Sequence, residues 1–240
     1  MQENKNLTVF GVILGASIII SFAIASYTFY SLRSADYITT TGSAKMAVTS
    51  DTVKWTSTIS RIVKLSTVKD GYAKMDTDLK EVKAFFVANG FVEKDLEISP
   101  IFMNEIYENN NTGANKNYNL IQNIEIQSTD VNKVDALSKN IGELINKGII
   151  FNSMMPEYYY SKLPEARVAL LENAVTDAKA RAEKLAEAGN KKIGDLKSAS
   201  SGVVQVLSPG SAAISDYGTY DTSKIEKEIM VTVKASFLIK

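Results

Sequence analysis

The chain contains no cysteine and no histidine. Without cysteine there is no disulfide, no thiolate nucleophile and no sulfur-ligated zinc site. Without histidine the commonest general base and the commonest metal ligand are missing, and with them the Ser-His and Cys-His nucleophile systems. Carboxylate chemistry and a Ser-Lys arrangement survive, so the two absences lower the expectation of an enzyme without forbidding one. Net charge is missing as well, since 27 Lys and Arg balance 27 Asp and Glu. No basic excess draws nucleic acid, and no acidic excess marks a disordered tail. The expectation is a non-enzyme: catalytic residues none, metal none, cofactors none, nucleic-acid partner none.

What the chain does have begins with an uncharged run. Residues Leu7 to Tyr30, "LTVFGVILGASIIISFAIASYTFY", carry no ionisable group other than tyrosine. A helix of roughly 20 apolar residues crosses a bilayer core. A signal-peptide core is shorter, about 7–15 residues. Ala23-Ile24-Ala25 has the small-x-small form of a cleavage site, so a cleaved signal is the competing reading, and the length of the run favours an anchor. Lys5 stands on one side of the run against Glu3, and Arg33 stands on the other, so charge leaves the orientation open. Gly11 and Gly15 have the spacing that lets two membrane helices approach closely. The expected division is a tail over 1–6, an anchor over 7–30, a linker over 31–35 and one folded domain over 36–240.

In that domain, Ile38, Thr40, Gly42, Ala44, Met46 and Val48 alternate with mostly polar residues and predict a strand. After a turn at Ser50-Asp51, Val53, Trp55, Ser57 and Ile59 alternate again, which makes a hairpin. Trp55, the single tryptophan, reads as core. Asp70 to Asn89 predicts a helix, with Met75, Leu79, Val82, Phe85 and Phe86 at helical spacing and Asn89-Gly90 as its stop. Asp95 to Ile106 and Lys116 to Gln127 predict a second hairpin around the Asn/Gly-rich stretch 109–117. A helix capped at Thr129-Asp130 follows, then a strand over Ile149 to Tyr160. A helix from about Pro164, an extended stretch from Lys192 to Val206 and a long strand from Ile225 to Ile239 complete the chain. The fold class is therefore α+β: mainly antiparallel sheets with helices packed on one face, in the order β-β-α-β-β-α-β-α-β-β, preceded by an N-terminal transmembrane helix.

The most regular stretch is "ENAVTDAKARAEKLAEAG", where Ala174, Ala178, Ala182 and Ala186 recur every four residues. On a helical wheel Leu171, Ala174, Ala178, Ala182 and Leu185 share a narrow arc, and Val168, Val175 and Ala186 extend it. Small residues set a close helix-to-sheet distance, so this face is a candidate packing or assembly surface. No glycine loop precedes the helix to cradle a phosphate. Asp76 and Asp78 stand two apart and so face different ways, which fits a solvated helix better than an acid–base pair. Glu226, Lys227 and Glu228 read as charges that blunt a strand edge. The loop Ser208 to Ser223 offers Tyr217 and Tyr220 as candidate partner contacts.

The alanine rhythm followed by Leu185-Ala186, Gly189 and Ile193-Gly194 resembles the end of the SIMPL domain. "GSAKMAVTSDTVKW", with Gly42 and Asp51, is similar to that family's opening strands; "GFVEKDLEISPIF" and "INKGIIFNSM" are similar to its later helix-to-strand steps. The resemblance covers about residues 36 to 240 and departs from the family at the insert 109–117 and at the uncleaved-looking anchor. It implies an envelope or periplasmic location, with some relatives linked to oxidative-stress defence, one forming a ring-like, channel-like oligomer and a eukaryotic one acting as a signalling adaptor. It supplies no catalytic residue. The resulting expectation is a single-pass protein of the inner or cytoplasmic membrane, its soluble domain extracytoplasmic, acting as a homo-oligomer. The alternative is an adaptor or ligand-binding module using the 208–223 loop.

Overall fold

The computed structural model describes residues 2–33, 36–107, 116–211 and 213–240. Residues 34–35 of the expected linker and most of the Asn/Gly-rich stretch, 108–115, lie outside the described residues.

The first element is helix α1, Gln2–Arg33, within which Val9–Tyr30 has a mean hydropathy of 2.4 and is not buried against the protein. It is followed by β1 (Tyr37–Thr49), β2 (Thr52–Lys64), α2 (Val68–Ala88), β3 (Leu96–Ile98), β4 (Phe102–Ile106), β5 (Asn117–Ser128), α3 (Val131–Ser138) and α4 (Gly142–Asn146). Then come β6 (Phe151–Ser153), β7 (Glu157–Tyr159), α5 (Leu163–Ala188), β8 (Ile193–Ser201), β9 (Gln205–Leu207), β10 (Thr219–Tyr220) and β11 (Glu226–Ile239). Mixed α and β with antiparallel sheets and an N-terminal apolar helix is the fold class expected from the sequence. One pairing differs: β1 and β2, expected to form a hairpin across Ser50-Asp51, join different sheets, β1 beside β11 and β2 beside β5. The other differences are breaks in single elements. Pro100 divides the expected strand 95–106 into β3 and β4, because proline cannot donate to a ladder. Met154-Met155-Pro156 divides 149–160 into β6 and β7 for the same reason. The helix after Asp130 stops at Ser138 and restarts at Gly142, with Asn140 in the gap.

The chain divides into two compact units, residues 1–44, 171–202 and 231–240 in one, and 45–170 and 203–230 in the other. The larger unit has a sheet in the order β3-β5-β2-β6, with β4 also on β5 and β7 also on β2. The long antiparallel pair of β2 and β5 sets its register: Trp55 faces Ile126, Ser57 faces Ile124 and Ile59 faces Gln122. Alternation then sends Val53, Trp55, Ile59, Leu120, Ile124 and Ile126 to one face, where they meet Met75, Val82 and Phe86 of α2 and Val134 of α3 in a buried core. Trp55 packs edge-on to Phe86 at 5.5 Å and Phe86 to Phe91 at 6.0 Å. Such pairs add about 0.5–1.5 kcal/mol each beyond the area they bury. The Trp55 indole N–H is satisfied by the Met154 carbonyl at 3.0 Å. Helix α2 ends where Gly90 takes φ +78°, a conformation that costs glycine little.

In the smaller unit the alanines of α5 meet Val233, Ala235 and Phe237 of β11, with Ile38 and Ala44 of β1 beside them. Ala174, Ala178, Ala182 and Ala186 are all buried, while Leu185, expected on the same arc, is 56 % exposed. A wheel collapses the helix axis and so hides the reason. At 3.6 residues per turn, a row of every fourth residue drifts by about 40° per step, along a ridge inclined to the axis by about 26°. The packed surface follows this ridge. At the height of Leu185 the buried direction has moved about a quarter turn away from it, and Val168 at the other end is exposed by the same drift. Gly42 of β1 completes the contact. A methyl group on Gly42 would overlap the Ala174 carbonyl oxygen and the Ala178 amide nitrogen and lie 2.8 Å from the Ala178 Cα. Backbone thus touches backbone. The Thr40 hydroxyl donates to the Ala178 carbonyl at 2.7 Å, and the Ser43 amide donates to Asp177 Oδ2 at 2.8 Å.

Candidate functional site

A cleft lined by ionisable and hydroxyl groups lies in the larger unit. Helix α3 and its C-cap supply Asp135, Ser138 and Lys139, the end of β6 and the break after it supply Ser153 to Pro156, β7 supplies Tyr158, and Ser223 to Glu226 close the other side of a space of about 500 Å³. The break exists because of Pro156, and it exposes Met154 and Met155 at the rim. Within the cleft the buried Tyr158 phenol donates to Asp135 Oδ1 at 2.6 Å, and Lys139 Nζ donates to Oδ2 at 2.7 Å. Lys139 first, then Tyr158, hold the Asp135 carboxyl below its usual range. Burial first, then the hydrogen bond to Asp135, push the Tyr158 phenol well above its ordinary value. An acid held ionised against a phenol held neutral stores no proton to exchange near neutral pH. The arrangement acts as a latch between α3 and β7.

A second cluster surrounds the loop expected to carry Tyr217 and Tyr220. Tyr217 is 96 % exposed. Tyr220 stands instead in the short strand β10, which pairs parallel with β9. Its ring lies 5.7 Å from that of Tyr159, and its hydroxyl accepts from the Tyr160 amide at 2.8 Å. Below it sits Lys227, 1 % exposed. The Lys227 ammonium donates to the carbonyls of Asp221 and Lys224 and lies 5.6 Å from the Tyr220 ring centre. Burial pulls the Lys227 ammonium below its usual range, and the Asp221 charge opposes the pull. Asp221 accepts from the Ser208 hydroxyl and the Ser223 amide, and these bonds lower its carboxyl to about 2. The reading of Lys227 as an edge charge is therefore corrected. β11 is an interior strand, between β1 on one side and β8 and β9 on the other. Lys227 continues the inward alternation of Ile229, Val231 and Val233 and serves as a clasp for the turn before it.

Asp78 needs the same correction. Asp76 pairs with Lys80 in solvent, but Asp78 is buried and receives both Nε and Nη2 of Arg61, the latter at 2.7 Å. Two signals marked it in the sequence. Asp78 falls three residues from Met75 and four from Val82 on the apolar stripe, and Arg61 continues the Val53, Trp55, Ser57, Ile59 alternation. Asp51, singled out as the acid opening the second strand, ties the start of α5 by accepting from the Ser161 amide at 2.8 Å and hydroxyl at 2.7 Å.

Of the other residues singled out, Gly11 and Gly15 face open space, with no heavy atom within 4 Å of a methyl placed on either. Leu171 is half-buried beside the alanine ridge. Among the described residues, no three carboxylates gather into a group able to hold a metal ion.

The model of the SIMPL family, described as a protein of unknown function (DUF541), covers residues 38–237. No curated protein matches the chain. The matched span contains Gly42, Asp51 and the alanine ridge, the residues whose packing and capping are described above.

Proposed function

Because the chain belongs to the SIMPL family, whose function is unknown, we propose its role from its own residues: a membrane-anchored protein of the cell envelope that works by self-assembly, its folded part outside the cytoplasm. The observation that carries this reading is the pair of open edges on one sheet. β1, 13 residues long, has β11 as its strand neighbour, and β8 has β11 as its neighbour, so each keeps one edge unpaired among the described residues. Open edges are templates for a further strand. Two different edges that meet head-to-tail between copies make a heterologous contact, which closes into a ring when the rotation allows.

The anchor supports the same reading. Val9–Tyr30 is long and apolar enough to span a membrane, and a shared membrane plane raises the effective concentration of the attached domains. The Asp135–Tyr158 latch and the Asp221–Lys227 clasp engage polar groups that a catalyst would need free, which supports a structural role.

The test is the mass of the intact, detergent-solubilised chain by light scattering. The expected result is a discrete multimer that persists in the Gly11→Leu, Gly15→Leu double variant, because the sheet edges and not the anchor seam hold it. A monomer at every concentration overturns the proposal.

A further inference from the structure

The helices of the larger unit cover one face of its sheet, and among the described residues none of them packs on the opposite face, called here the open face, where Phe102, Asn104, Asn123 and Asn152 are exposed. Asparagine recurs on that open face. Asn104 stands on it in β4, and Asn123 and Asn152 flank Thr58 from β5 and β6, all three exposed, while the side-chain oxygen of Asn119, opposite Asn104, is buried and takes no part. Asparagine is depleted in strands, and a sheet face that meets only water is filled with less conflict by Thr, Lys and Glu. These asparagines therefore answer a demand other than solubility. A side-chain amide presents a donor and an acceptor side by side, the pattern complementary to neighbouring hydroxyls on a sugar ring. Thr58 donates to Asn123 Oδ1 at 3.1 Å, which leaves the Asn123 amide hydrogens to donate away from the sheet.

Two rings bracket this polar field. Phe102, 50 % exposed, lies in the row of Ile121 and Ser60, and Tyr159 lies opposite Thr52 with Tyr220 supporting it. Eight strand residues separate the two rows, on the order of 27 Å, room for several pyranose units. Charge narrows the occupant further. Lys54 and Glu125 neutralise each other at 2.8 Å in the middle of the face, and Glu157 stands beside Tyr159. Such a face does not attract nucleic acid or an acidic polymer. A protein partner calls for aromatic residues at a dry centre, whereas here the rings stand at the two ends and amides, hydroxyls and the Lys54–Glu125 ion pair lie between them.

We infer that the open face of this sheet binds an uncharged polysaccharide chain laid along β2 and β5, with Phe102 and Tyr159 as stacking platforms and the asparagines as hydroxyl readers. This does not rest on self-assembly, which the mass measurement tests separately.

The experiment is calorimetric titration of the full chain in detergent with cellohexaose, laminarihexaose and N-acetylchitohexaose, and with a hyaluronan hexasaccharide as the acidic counterpart. At least one neutral hexamer binds, and the acidic one does not. Phe102→Ala and Tyr159→Ala each weaken binding roughly tenfold, the cost of truncating an anchoring aromatic. Asn123→Ala weakens it too, and Leu185→Ala leaves it unchanged. Unaltered far-UV circular dichroism and unaltered oligomeric mass show that the variants keep the fold. The inference is overturned if no neutral hexamer binds up to about 10 mM, a range that detects even millimolar affinity. Binding that survives both ring substitutions also overturns it. So does a fall in oligomeric mass in Asn123→Arg, which would assign the face to a second copy.

Discussion

Replacing Gly42 by alanine tests the structural meaning of the alanine ridge. The new methyl would overlap two backbone atoms of α5 and sit 2.8 Å from a third. Carbon atoms meet at about 3.5–4.0 Å, so helix and strand must separate by about 1 Å. No side chain can rotate aside, since the obstructing atoms are backbone. Overpacking of a tight core costs about 1–3 kcal/mol, and this site belongs at the upper end. Separation also strains the buried Thr40 to Ala178 hydrogen bond, worth about 1 kcal/mol. Alanine returns about 0.4–1 kcal/mol by restricting the unfolded chain. The net expectation is a loss of about 3 kcal/mol, which lowers the melting temperature by about 6–12 °C for a domain of this size. Thermal unfolding followed by far-UV circular dichroism measures it. Gly142→Ala is the control, because no heavy atom lies within 4 Å of the added methyl and its φ is not positive; it should melt at or slightly above the wild-type temperature. If Gly42→Ala unfolds within about 1 kcal/mol of wild type, the contact is not the close-packed seam described here and the ridge has some other reason.

Two further outcomes follow from the ionic groups. Asp221 is lowered to about 2 from an ordinary 3.8, so its contribution is fully present above pH 3.8 and is lost as pH falls through about 2. Allowing for solvent screening, that contribution is about 1–2 kcal/mol, and the stability of wild type minus Asp221→Asn, from urea unfolding at several pH values, should shrink by this amount between pH 5 and 2; a difference that stays constant refutes the assignment. For the Arg61–Asp78 pair, with side chains 25 % and 7 % exposed, Arg61→Met strands a buried carboxylate and should cost about 2–4 kcal/mol, while Arg61→Met with Asp78→Leu should recover part of it. Losses in the cycle that simply add show that the two charges do not depend on each other.

These same residues mark where sequence reasoning reached and where it stopped. Alternation in β2 placed Val53, Trp55 and Ile59 correctly, because a period of two fixes the face of every residue once one is known. The uncharged run was equally legible, since length and composition alone define a helix able to span a membrane. Asp78 and Lys227 were misplaced because a charged residue reads as surface even where it continues an apolar period; Asp78 finds Arg61 seventeen positions away, and Lys227 is satisfied by the carbonyls of the turn just before it. Leu185 was misplaced for a geometric reason, the drift of a four-residue row that a flat wheel cannot represent. The alanines and Gly42 could be listed as small residues, but their spacing could not reveal that they touch each other, since 132 positions separate Gly42 from Ala174. The asparagines of the open face were the least legible. Each reads singly as a turn former or a weak strand residue, and only cross-strand register assembles the exposed Asn104, Asn123 and Asn152 from three strands onto one surface. A periodic stripe announces what a chain buries. What it displays to a ligand is gathered from separate strands, and the sequence holds it only in pieces.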